Sequence, residues 1–110
     1  MVVITCRKSK SEYKHLTFKG HAGFGRFGRD IVCSAVSVLF INTMNSIERF
    51  TDDRPRIKTK RKLGKQLIDV TFDKPITKET VLLLDSMMLG LNEIQKEYGD
   101  KYLSLIYEEE

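Results

Sequence analysis

Short apolar alternations at both ends of the chain frame two long apolar-periodic stretches, and that pattern by itself outlines the fold. "VVITCRK" and "YKHLTFK" are rich in β-branched and aromatic residues and are separated by "SKSE", which predicts a hairpin. "DIVCSAVSVLFINTMNSIERF" then places Val32, Val36, Leu39, Phe40 and Ile47 at helical spacing, with Asp30 as the expected N-cap. The turn formers of "TDDRP" end that helix, and "RIKTKRK" and "QLIDVTF" around "LGK" predict a second hairpin. A second helix follows, with Pro75 and Thr77 before its start, Gly99 as its stop, and a buried stripe of Leu84, Met87, Met88, Leu91 and Tyr98. "KYLSLIY" reads as a last strand and the terminal "EEE" as a solvated tail. The order β-β-α-β-β-α-β is that of an α+β sandwich, in which two helices pack on a mostly antiparallel five-stranded sheet.

Length limits this pattern to one domain over residues 1–110. Hydrophobic residues at 41% and charged ones at 31% fit a globular chain and exclude disorder. The amino terminus lacks the order of a signal peptide, so a cytoplasmic location is expected. The uncharged run from Ile31 to Ile47 is interrupted by serine, threonine and asparagine, which favours a buried helix over a membrane span. With two cysteines, Cys6 and Cys33, neither a disulfide framework nor a four-ligand zinc site is expected, and no metal or cofactor is called for. The net charge of +4 favours acidic partners, RNA among them.

Four of the chain's seven glycines crowd into "GHAGFGRFGRDIVC", residues 20–33. Gly23, Gly25 and Gly28 spell G-x-G-x-x-G, the fingerprint of a dinucleotide cradle. That cradle needs a parallel βαβ crossover and an acidic strand tip about 20 residues on. Here a hairpin follows, and Glu48 falls near the end of the first helix. The other reading is thiol chemistry. A cysteine in the first turn after an Asp30 cap gains from the positive helix terminus, and His21 is positioned to hold its thiolate and to protonate a leaving amine. Backbone N–H groups near Cys33 and Ser34 are the expected oxyanion donors. The bland alternative is a small buried cysteine and a surface histidine. Cys6, mid-strand with no histidine or acid nearby in sequence, is assigned to packing.

Gly20, His21, Ala22, Gly28, Asp30, Ile31, Val32 and Cys33, followed by Ala35, Val36 and Ser37, resemble the motif of the ribosomal-processing cysteine proteases called Prp. The resemblance covers nearly the whole chain in its order of elements. It implies a catalytic dyad of His21 and Cys33, a homodimer, and removal of an amino-terminal extension from large-subunit ribosomal protein twenty-seven. It also implies a lid over the active site, here Gly20, Gly23, Phe24, Gly25, Phe27 and Gly28, whose glycines suit a hinge. Phe24 and Phe27 either cover an apolar pocket or anchor the loop.

Arg56, Lys58, Lys60 and Lys62 fall at period two, on one face of the predicted third strand. A solubilising edge is the preferred reading, with contact to ribosomal RNA the second. A non-enzymatic, RNA-associated module using that face is the alternative to a protease.

Overall fold

The computed structural model describes residues 1–20, 27–62 and 65–110. Its elements are β1 (Val2–Ser9), β2 (Glu12–Gly20), α1 (Phe27–Phe50), β3 (Arg56–Lys62), β4 (Lys65–Thr71), α2 (Lys78–Tyr98) and β5 (Leu103–Glu109). The sheet runs β3-β4-β2-β1-β5. Every pairing is antiparallel except β1 with β5, where Val2 lies beside Leu103 and Ile4 beside Leu105. The expected α+β order is therefore observed, with one parallel pair that makes the sheet mixed.

Alternation sorts the strand residues between two environments. Val2, Ile4 and Cys6 of β1, Leu16 and Phe18 of β2, Val70 of β4 and Leu103 of β5 are buried with Val32, Val36 and Ile47 of α1 and Leu84, Met87, Met88 and Leu91 of α2. Both helices thus cover one face of the sheet, and among the described residues the other face has no helix on it. From Ile31 to Phe50, α1 is long and apolar enough to cross a membrane by length and composition alone. In this fold its Val32, Val36 and Ile47 are core residues instead. Where α2 passes α1, Gly90 leaves so little room that a methyl there would lie 2.9 Å from Leu39 Cδ1.

Three local expectations change. The first helix begins at Phe27, so Asp30 sits inside its first turn rather than at the cap. A carboxylate is favourable at either place, because the positive helix end extends over the whole first turn. Tyr98 ends α2 at 39% exposure, outside the buried stripe, because the chain leaves the helix at Gly99 and Ile94 packs on the core instead. The terminal glutamates are no loose tail. Glu108 and Glu109 belong to β5, Arg7 bonds Glu108 at 3.0 Å, and the Glu110 N–H donates to the Lys8 carbonyl at 2.8 Å.

Helix α2 starts as its sequence predicts: Thr77 is the N-cap, its hydroxyl accepting from the Thr80 N–H at 3.3 Å. Its end matches too, with the Gly99 N–H bonding the Gln95 carbonyl at 2.7 Å and a φ of 91° that suits glycine. Asp53, on the α1–β3 connection, ties this start down by accepting from the Thr77 N–H at 3.0 Å, the Thr77 hydroxyl at 2.7 Å and the Thr80 hydroxyl. The Thr80 hydroxyl first, then the Thr77 N–H and hydroxyl, hold the Asp53 carboxyl below its ordinary range, against a smaller desolvation effect that raises it. A depressed native pKa contributes stability that is present above the unfolded carboxyl value, about 3.9, and lost as pH falls through the native value. Urea titrations should therefore show Asp53→Asn less stable than the parent at neutral pH, with the gap closing as pH falls below the unfolded carboxyl value. A gap that persists unchanged in acid would remove the carboxylate from the account.

Candidate active site

Cys33 lies in the second turn of α1 on the side that faces the sheet, 8% exposed. It lines a cleft of about 280 Å³ between α1 and the β1, β2 and β4 end of the sheet. Val36, Phe40 and Ile41 of α1 supply the helix wall, and Val2, Phe18 and Ile68 supply the sheet wall. Across the two walls Phe18 and Phe40 form a tilted ring pair, centroids 4.8 Å apart. Ser37 and Gln66 are polar groups on the same lining, suited to a peptide's amides beside an apolar side chain.

Gly20 also lines the cleft. It is the last residue of β2, paired with Gln66 of β4, so it belongs to the strand rather than to a lid. Here glycine answers a close approach: a methyl at position 20 would lie 3.0 Å from the Val2 Cα and 3.1 Å from the Met1 carbonyl oxygen. Phe27 and Gly28, also assigned to the lid, have their backbone in α1. His21, Gly23, Phe24 and Gly25 lie outside the described residues.

A start at Phe27 changes the helix-end chemistry expected at Cys33. With the helix already formed from Phe27, the i→i−4 ladder is running at Cys33 and Ser34. Ser34 is exposed, and its N–H is therefore not the oxyanion donor foreseen from an Asp30 cap. The dipole also fades beyond the first turn.

The second cysteine shows the contrast. Cys6 is 1% exposed in the core of β1, and burial pushes its thiol pKa up, with Asp85 adding to the effect and Lys8 opposing it. A neutral buried thiol is a packing group. Close by, the buried Tyr13 hydroxyl donates to Asp85 at 2.6 Å, joining β2 to α2. Its pKa rises, by burial first and by that bond second. His15 is a cross-strand residue on β2, opposite Arg7, with Nδ1 3.4 Å from the Thr71 hydroxyl. Among the described residues no group of three histidine, cysteine or acidic side chains is placed to hold a metal ion.

Helical spacing marked Val36 and Phe40 only as buried positions of a helix, and the strand residues of the cleft were not singled out. Phe18, Phe40, Gln66 and Ile68 come from three elements, and each carries only the local signal of a strand or helix position.

Cysteine proteases are the class to which this fold and cleft belong. The family model described as cysteine protease Prp matches residues 1–103, and the chain belongs to that family. The ribosomal processing cysteine protease Prp of Staphylococcus aureus strain Mu50 is 32% identical over 84 residues, 74% of this chain and 74% of the relative. A crystal structure of the S. aureus protease with a substrate peptide superposes with a TM-score of 0.85 at 25% identity, covering 98% of this chain and 100% of that one. A second, with a covalently linked product peptide, gives 0.79 at 27% identity over 98% and 100%.

Proposed function

We propose that this protease removes the amino-terminal extension of large-subunit ribosomal protein twenty-seven, with Cys33 as nucleophile and His21 as general acid and base. The observation that carries the reading is the cleft. Cys33 and Gly20 line the same cavity, and His21 is the residue that follows Gly20 in the chain. The S. aureus relative's covalently linked product peptide supports a covalent route, and its name supports a ribosomal substrate.

In the first half of the reaction the Cys33 sulfur attacks the scissile carbonyl carbon, and the carbonyl electron pair moves to oxygen. The tetrahedral species collapses with cleavage of the C–N bond, the imidazolium of His21 giving its proton to the departing amine. In the second half His21 takes a proton from water as its oxygen attacks the thioester, releasing the new carboxylate and restoring the thiolate.

The reading includes a homodimer in the cytoplasm. Val38 and Ile41 on α1 and Leu82 and Leu89 on α2 are exposed apolar side chains on the helical layer, which supports self-association.

The test joins thiol reactivity to cleavage. Iodoacetamide should alkylate Cys33 faster at neutral pH than it alkylates free cysteine, and His21→Ala should slow that profile toward the free rate. The same variant should lose cleavage of the ribosomal precursor, seen by mass spectrometry as a single cut near its amino terminus in the parent. Alkylation profiles that coincide would exclude the dyad, and an uncut precursor would exclude the substrate.

A further inference from the structure

The face of the sheet opposite the helices carries a charge pattern that the protease reading leaves largely unused, Lys19 alone of its cations also lining the cleft. Register places Arg56, Lys58 and Lys60 of β3, Lys65, Leu67, Asp69 and Thr71 of β4, and His15, Thr17 and Lys19 of β2 on this face. Lys60 pairs with Leu67 and Leu67 with Lys19, so these two lysines are two strand spacings apart, about 10 Å. Lys58 and Lys60 are alternate residues of one strand, about 7 Å apart. Arg56 is paired with Asp73 at 3.2 Å and Asp69 is held by the Thr17 hydroxyl at 3.1 Å. Lys19, Lys58, Lys60 and Lys65 are exposed and have no ion-pair partner among the described residues.

Protection of a sheet edge accounts for part of this pattern only. β3 is an edge strand, and cations there discourage strand addition. Lys19 and Lys65 stand on β2 and β4, which are interior strands with no edge to protect. At the opposite edge Glu108 and Glu109 lie on β5 and Glu108 pairs with Arg7, whereas Asp69, opposite Lys58, is the one acidic residue among the register positions named above. The sheet is thus polarised, with its uncompensated positive charge on the β3-β4-β2 side.

We propose that this helix-free face docks the phosphate backbone of RNA, held by Lys19, Lys58, Lys60 and Lys65. The choice of RNA over another polyanion rests on the ribosomal-processing reading above; a positive face repels a basic protein precursor but attracts the RNA such a precursor binds. Apart from His15, no aromatic ring lies at these register positions, so bases have nothing to stack on and the contact reads charge rather than sequence.

Fluorescence anisotropy of labelled oligouridylate and oligoadenylate, with the full chain as titrant, tests the proposal. The two should bind alike. Four phosphate contacts to a single strand imply a slope of about −3 in log K against log salt, a loss of roughly 50-fold between about 50 and 200 mM. Lys58→Glu/Lys60→Glu should weaken binding more than about 10-fold and halve that slope, while cleavage of a short free peptide proceeds at the parent rate. Absence of binding at low salt, a strong preference for one base, or a double variant that binds like the parent overturns the proposal. So does low-salt self-association that the double variant abolishes, since it would assign the face to a second copy. Peptide cleavage reads the protease assignment separately, so failure of one reading is distinct from failure of the other.

Discussion

Cys33→Ala should abolish peptide hydrolysis, by at least about 10³-fold, and leave the fold in place. In the proposed mechanism the nucleophile is the Cys33 sulfur, whose acyl-carrying role a methyl group cannot take over and which Cys6, sealed in β1, cannot replace. The structural cost is small. Cys33 sits at the boundary between Val32 and Val36 in the core and the open cleft, so losing one heavy atom leaves a gap that opens toward solvent. Alanine has the higher helix propensity, by a few tenths of a kcal/mol, which offsets part of the lost contact. Stability should therefore stay within about 1 kcal/mol of the parent, or roughly 5 °C in Tm. Product formation by mass spectrometry, with circular dichroism melts of the same preparation, checks both halves. Turnover retained in a folded variant would mean that Cys33 is not the nucleophile.

Phe18→Ala should have the opposite balance, with a large loss of stability and a cleft that no longer closes on its substrate. The ring is 6% exposed and stacks at a tilt on Phe40, so it joins β2 to α1 at the lining of the cleft. Truncating a buried phenylalanine costs about 3–5 kcal/mol, a large share of the 5–15 kcal/mol that holds a domain of this size together. The melting temperature should drop by roughly 10–20 °C. Assayed well below that temperature, the variant should show a raised KM, because the apolar wall has gone while Cys33 remains. Phe18→Leu should recover most of the stability. A drop of only a degree or two for the alanine variant would show that the Phe18–Phe40 pair carries little of the packing.

Much of this architecture was legible because its signals are local. β-Branched content marked "VVITCRK" as a strand with Cys6 in a packing role, and the structure buries its Val2, Ile4 and Cys6. Thr77 and Gly99 bounded α2 because a side-chain cap and a positive φ are properties of single residues. Signals that serve two purposes were less decisive. An aspartate suits a cap or a first turn equally, which is why α1 begins at Phe27 and not after Asp30, and why Cys33 falls one turn further from the helix end. Helical spacing alone placed Tyr98 in the buried stripe, but burial also requires something opposite, and the chain turns away at Gly99.

The amino-acid sequence by itself determined the order of elements, which face of each turns inward, the packing role of Cys6, and the family motif around His21 and Cys33. Each depends on covalent neighbours a few residues apart, where periodicity, turn chemistry and capping act. Tertiary structure alone decided the parallel pairing of β1 with β5 and the close approach of Gly20 to Val2. It also decided the cleft, whose walls bring Val2, Phe18, Phe40 and Ile68 beside Cys33, and the gathering of Lys19 and Lys65 with the cations of β3 on one face. These features join residues far apart in the chain, and their proximity is set by which strands pair and which helix covers them, a choice made by burial of the whole core at once.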